Sequence, residues 1–245
     1  MSGERERADK LLVALGHFES RTAARAAIDA DGVVCDGEPV RKPSQMLPVD
    51  GVIVAKAAHP FVSRGGVKLA HALGAFGVNV RGRSCLDVGA STGGFTDCLL
   101  QNGAARVTAI DVGRDQLHAR VRADARVTVF EGVDARAIGQ DHVPSDLSLI
   151  VTDLSFIALE KALEPALTFA ASDTLLVGLF KPQFQVGRKN VGRGGIVTDR
   201  EAVEMAAATF SEWVTAQGWS LENWCDSPIR GGDGNREKLF IGRKT

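Results

Sequence analysis

The chain has 245 residues, 44% hydrophobic and 24% charged, with a formal net charge of −1. That composition is globular and can bury a sizeable core, which excludes wholesale disorder, and the charge balance gives no global reason for nucleic-acid binding. The longest stretch without Asp, Glu, Lys or Arg is 12 residues, Leu69 to Val80, where a membrane-spanning helix needs roughly 20 apolar residues.

The first ten residues, MSGERERADK, alternate charges around no apolar centre. No secretory signal is expected there, so the chain is expected in the cytoplasm. Leu11, Leu12, Leu15 and Phe18 fall at helical spacing. Ser20 is placed to cap a second helix, Arg21 to Ala30, which Gly32 should stop. Asp36-Gly37 is a hairpin turn signal, and residues 52–56 (VIVAK) read as a further strand. Residues 1–58 thus form a small α+β unit. His59-Pro60 should be extended, which places a linker at 59–62 before a second domain, 63–245.

From there strands and amphipathic stretches alternate. The candidate strands are Arg83–Val88, Arg106–Asp111, Arg126–Phe130, Leu147–Thr152 and Leu175–Phe180, with two late ones near Trp219–Cys225 and Lys238–Ile241. Such alternation predicts an α/β fold with a mostly parallel sheet covered on both faces. Thr198-Asp-Arg-Glu201 predicts a capping box opening a long helix with the stripe Val203, Ala206, Phe210, Trp213 and Ala216. The four cysteines, Cys35, Cys85, Cys98 and Cys225, have no metal-ligand or redox spacing. All four are expected reduced, and no metal site is expected.

The most informative segment is CLDVGASTGGFTDCLL, 85–100. A strand ends at Asp87-Val88, and Gly89, Ser91, Gly93 and Gly94 lie in the turn before a helix near Phe95. The spacing is not the G-x-G-x-x-G that brings a pyrophosphate onto a helix N-terminus, and Asp87 would repel one. An acid there suits a cationic, amino-acid-like ligand. Asp111, at the end of the next strand, is placed to accept both hydroxyls of a ribose. Asp134, after the third strand, is placed to meet an adenine amino group. Together they describe a pocket for S-adenosylmethionine.

Four more polar positions lie near strand ends or glycine-rich turns: Lys68, Asp153, Lys181 and Glu237. The segment Asp153-Leu-Ser-Phe156 lacks the prolines usual for methylation of an exocyclic base nitrogen. No cysteine between 99 and 224 offers the thiolate that cytosine carbon methylation needs. Two lysines and two acids suit deprotonation of a hydroxyl, one lysine as base or as a cation stabilising an alkoxide.

The motifs VSRGGVKL (62–69), LDVGASTGGFT (86–96), AIDVG (109–113), DLSFI (153–157), KPQFQVG (181–187) and GNREKLF (234–240) run through most of the chain. With them the chain resembles the hemolysin-A (TlyA) family of ribosomal RNA ribose methyltransferases, and its second domain resembles the FtsJ-type 2′-O-methyltransferases. The resemblance implies a Rossmann-like S-adenosylmethionine-dependent fold with a mostly parallel seven-stranded sheet, preceded by a small S4-like RNA-binding domain. It implies a Lys68–Asp153–Lys181–Glu237 tetrad and a cytidine in ribosomal RNA, within a ribosomal subunit, as the substrate. One departure is that residues 1–60 carry eight Lys/Arg against nine Asp/Glu. RNA binding there must come from clustering, with Arg5, Arg7, Lys10, Arg21, Arg25, Arg41 and Lys42 as candidates. The family has longer members, and an end five residues after Phe240 leans towards large-subunit RNA alone. Two other readings are a pore-forming hemolysin, which would need a long apolar or strongly amphipathic basic segment, and an RNA-binding protein without catalysis, which would show an eroded tetrad.

Overall fold

The computed structural model describes residues 4–245, which divide into two compact units, one ending at Pro60 and the other spanning Phe61–Thr245. In the first unit, β1 (Arg5–Arg7) leads directly into α1 (Ala8–Ala14), and α2 (Arg21–Asp29) follows. The expected first helix is shorter than its apolar spacing: Leu15 caps it and is half exposed, Gly16 turns away at φ +75, and Phe18 reaches the core from the loop. Ser20 caps α2 as expected, its Oγ accepting from Ala23 N–H at 3.2 Å. Asp31, not Gly32, takes the left-handed turn, at φ +55. Gly32 serves a close approach instead, because a Cβ there would lie 2.5 Å from the Lys56 carbonyl oxygen.

β2 (Val33–Cys35) and β3 (Glu38–Pro39) are joined across Asp36-Gly37, both at positive φ, as hairpin turns of this kind require. β5 (Ile53–Ala55) pairs with the other edge of β2, and β4 (Met46–Pro48) pairs with β1 in a separate ribbon. Leu11, Leu12, Ala24, Ile28, Val33 and Leu47 form this unit's core.

The second unit opens with α3 (Arg64–Ala75), then β6 (Ser84–Val88), α4 (Gly94–Gln101), β7 (Arg106–Asp111), α5 (Ala119–Arg122) and β8 (Val127–Glu131). It continues through β9 (Leu147–Thr152), α6 (Leu159–Thr168), β10 (Leu175–Phe180), α7 (Pro182–Gln185) and α8 (Arg200–Ala216), and ends with β11 (Trp219–Asp226) and β12 (Lys238–Lys244). The strands form one seven-stranded sheet in the order β11-β12-β10-β9-β6-β7-β8. Five are parallel, and β12 runs antiparallel between β10 and β11. The central strands β6, β9 and β10 are buried almost throughout because both faces are covered, while β8 and β11 at the edges are partly exposed. Cys85, Leu149, Val151 and Val177 enter one core, while Leu86, Val88, Ile150 and Phe180 enter the other.

The long helix starts one residue later than the capping pattern predicts. Asp199 rather than Thr198 is the cap, its carboxylate accepting from Ala202 N–H at 3.1 Å, and Ala216 is exposed. A carboxylate at that position gains from the helix dipole as well as the hydrogen bond. The chain runs outward from β6 to β8 and returns to β9 on β6's other side, so a crevice opens beyond the carboxyl ends of β6, β7 and β9.

Candidate active site

The cofactor-loop residues fall at that crevice, in three different roles. Gly89, Ser91, Asp111, Asp134, Asp153 and Phe156 are among the residues lining a cleft of about 450 Å³, within the size range of small-molecule sites. Gly93 caps α4 in the left-handed region at φ +88, a conformation that only glycine takes without strain. Gly94 admits the chain before α3: a Cβ there would collide with Ser63 Oγ.

Asp87 lies near the end of β6, as its strand predicts. It is fully buried beneath the loop, not in the cleft wall. Thr96 Oγ1 donates to its Oδ2 at 2.6 Å, and its Oδ1 has no hydrogen-bond partner. Burial pushes its carboxyl up to about 7, with the Asp153 and Asp111 charges acting in the same direction.

Asp111 lies at the end of β7, and its carboxylate organises the loop. Its Oδ2 accepts from Ser91 N–H at 2.8 Å and its Oδ1 from Gly113 N–H at 2.7 Å. Asp134 reaches the cleft, but Arg136 already holds both of its oxygens, at 2.9 and 2.6 Å. The Arg136 hydrogen bonds draw the Asp134 carboxyl down to about 2. An adenine amino group would have to share it.

The four tetrad candidates form two ion pairs. Lys68, buried on α3, lies 2.5 Å from Glu237 Oε2, and the two side chains are 9% and 2% exposed. Lys181 donates to Ser155 Oγ at 2.7 Å and lies 2.5 Å from Asp153 Oδ1. Phe180 faces Lys238 in the β10–β12 register, so one further step sets Lys181 opposite Glu237. A Cβ on Gly65, in the first turn of α3, would lie 3.6 Å from Asp153 Oδ2. Both pairs therefore gather at one end of the sheet.

Sequence reasoning assigned no role to two neighbours. Ser155 gave no signal beyond its place in DLSF. Phe156 is 91% exposed, sits at φ +66, and has its ring centroid 5.2 Å from that of Phe184. A bulky residue in that conformation is uncommon and marks local backbone strain.

Of the seven basic candidates, the structure brings Arg7, Arg21 and Arg25 together around Asp9. Arg5 donates to the Met46 carbonyl, Lys10 lies beside Glu6, Arg41 pairs with Asp31, and Lys42 is exposed. All four cysteines are free. Among the described residues no group of His, Cys, Asp and Glu could hold a metal ion, and no helix is long and apolar enough to cross a membrane.

Comparison with known proteins accounts for both units. The FtsJ-like methyltransferase family profile matches residues 61–244. The chain belongs to the FtsJ-like methyltransferase family. An S4 domain profile matches residues 6–54. The chain is 40% identical over 243 residues to the 16S/23S rRNA (cytidine-2′-O)-methyltransferase TlyA of Mycobacterium tuberculosis, covering 98% of this chain and 90% of that protein. It is 36% identical over 200 residues to the 23S rRNA (cytidine-2′-O)-methyltransferase TlyA of Campylobacter jejuni, covering 81% of this chain and 77% of that one. A solved structure of a hemolysin candidate from Streptococcus thermophilus matches at 37% identity and a TM-score of 0.77, over 98% of this chain and 89% of that one. Methyltransferases of 14–18% identity share the fold of the second unit, with TM-scores of 0.55 or less.

Proposed function

We propose that this protein transfers the methyl group of S-adenosylmethionine to the ribose 2′-oxygen of a cytidine in ribosomal RNA. The observation that carries the reading is the pair of lysine–carboxylate contacts beside the cleft: Lys68 with Glu237, and Lys181 with Asp153 and Ser155. The residues present fit the cofactor. Asp111 lies at the cleft for the ribose hydroxyls, and Gly89 and Ser91 form its wall. The unpartnered Oδ1 of Asp87 lies where a cationic methionine end, once bound, would favour the ionised carboxylate over the protonated one that burial favours. Asp134 is assigned to the adenine edge. When bound, S-adenosylmethionine supplies a methyl group on a positively charged sulfur, open to attack by an oxygen.

The protein's part is to make that oxygen nucleophilic. Lys181 is the base: with its own proton released to solvent beforehand, its neutral Nζ takes the hydroxyl proton, and Asp153 and Ser155 hold that nitrogen in place. Lys68, oriented by Glu237, remains a cation and stabilises the developing alkoxide. Phe156 offers an exposed ring on which the target base stacks once it leaves its own stack.

Residues 1–58 act as the RNA-binding module, 59–62 as the linker and 63–245 as the catalytic domain. The cytidine and the ribosomal RNA are carried over from the relatives, whose names share large-subunit RNA. A ribosomal subunit is accordingly the assigned partner and the cytoplasm the assigned location. Calorimetry on Asp111→Ala tests the cofactor site. Loss of a hydrogen bond from a charged acceptor weakens S-adenosylmethionine binding by about 1.5–3 kcal/mol. Unchanged affinity removes Asp111 from the ribose role.

A further inference from the structure

The first unit poses an electrostatic puzzle: its acids outnumber its bases, yet it matches an S4 domain and is assigned above as the RNA module. Most of its cations are tied to an acid or a carbonyl. Three arginines from two elements converge on one carboxylate, Asp9, in the first turn of α1, and that carboxylate has no solvent exposure. Arg7, at the end of β1, donates from Nε to Asp9 Oδ1 at 3.0 Å and from Nη2 to Oδ2 at 3.2 Å. Arg21, on α2, donates from Nε and Nη2 to Asp9 Oδ2 at 3.2 and 2.6 Å. Arg25, one turn further along α2, has its Nε 3.9 Å from the same oxygen.

The arrangement is asymmetric. The carboxylate is buried, while the three arginine side chains are 35%, 52% and 58% exposed. Arg7 and Arg21 each turn two nitrogens inward, and neither Nη1 has a protein partner among the described residues. Asp9 sets one negative charge beneath three positive ones, and Glu6, beside Arg7, adds a second nearby, so the exposed side of the cluster keeps an excess of positive charge.

We propose that Asp9 is a positioning residue that assembles Arg7, Arg21 and Arg25 into a preformed phosphate-binding surface for a folded RNA backbone. This rests on the reading of residues 1–58 as the RNA module. Guanidiniums this close repel one another, and each long side chain loses rotamer freedom when it grips a phosphate. A shared carboxylate offsets the repulsion and fixes the rotamers beforehand, so binding costs less order. The cations outside the fan, Lys10 beside Glu6 and Arg41 on Asp31, contribute little.

The proposal makes a prediction of opposite sign to simple charge counting. Removing an acid from a protein that binds a polyanion should tighten binding; here it loosens it. The experiment is filter binding of the full chain to deproteinised ribosomal RNA across a salt series, alongside a thermal melt of each variant. Asp9→Asn is expected to weaken binding at least about tenfold, roughly the loss of one charge-assisted contact, and to flatten the salt slope by about 0.7–0.9. Arg21→Lys keeps the charge but loses the planar fork, and is expected to weaken binding as well.

Equal or tighter binding by folded Asp9→Asn overturns the proposal and leaves Asp9 a structural acid. Should Asp9→Asn fail to fold, Arg21→Lys decides: parental affinity overturns the proposal and weakened affinity supports it. If the Arg7→Ala/Arg21→Ala/Arg25→Ala triple variant binds like the parent with the same salt slope, the RNA assignment of this surface fails, and the role of Asp9 falls with it.

Discussion

Glu237→Gln separates folding from chemistry at the candidate site. Lys68 and Glu237 meet at 2.5 Å with almost no solvent access, so the substitution leaves an ammonium in the interior without its counter-charge. Breaking a buried pair in this way costs about 3–5 kcal/mol. The second unit spans Phe61–Thr245, and domains of that size shift by about 2–4 °C per kcal/mol. The expected loss is therefore roughly 6–20 °C in the melting temperature of that unit, read by calorimetry. Replacing both partners, Lys68→Met with Glu237→Leu, removes the stranded charge and is expected to recover most of the loss, because a packed apolar pair can match a buried ion pair. Methyl transfer should be absent from the single and the double variant alike. A melting temperature for Glu237→Gln within about 1 °C of the parent would refute the account of this pair as buried and mutually dependent.

Lys181→Ala and Lys181→Arg should both lose turnover by about 10²–10⁴-fold in single-turnover methylation, with S-adenosylmethionine affinity retained, since arginine cannot give up its proton near neutral pH; near-parental turnover in the arginine variant leaves lysine as a fixed cation only. Phe156→Ala should weaken productive RNA engagement by the worth of one base–aromatic stack, about 1–3 kcal/mol, while Phe156→Trp retains activity; kcat/KM for RNA reads both. Asp87 makes ligand-free stability depend on pH. Its folded value is about 7 against an ordinary value of 3.8, so the folded state holds that proton more tightly. The contribution is complete below about 4 and is lost as pH rises through about 7. Denaturant titrations of the parent and Asp87→Asn across that window should diverge, and parallel curves would count against a protonated Asp87.

Legibility in the sequence followed how local each determinant is. Four of the five parallel strands, β6, β7, β9 and β10, were readable because each is a largely buried apolar run ending in a turn, and the polar residues ending or following them are Asp87, Asp111, Asp153 and Lys181. Strand ends shift by a residue or more, as Arg83 and Arg126 do, because the last pairing is decided by the neighbouring strand. The β1–β4 ribbon left no trace: three residues on each strand, one of them Arg-Glu-Arg, carry no period. The first helix was read too long because Phe18 continues the apolar spacing while Gly16 breaks the backbone.

At the site, residue types were legible but pairings were not. That Lys68 joins Glu237, 169 positions away, depends on β12 entering beside β10. That Asp87 is fully buried was not legible, since alternation cannot say which residues the Gly-rich turn will cover. The convergence of Arg7, Arg21 and Arg25 on Asp9 likewise needs α1 and α2 packed together before it exists.

The central claim is methyl transfer to a ribose 2′-oxygen with Lys181 as base. The direct measurement incubates the full chain with S-adenosylmethionine carrying a labelled methyl group and ribosomal subunits lacking the modification, then maps the label by mass spectrometry of nuclease digests. The account predicts label on the 2′-oxygen of a cytidine in large-subunit RNA with the parent protein and none with Lys181→Ala. Label on a base nitrogen or carbon, or equal labelling by Lys181→Ala, would contradict it.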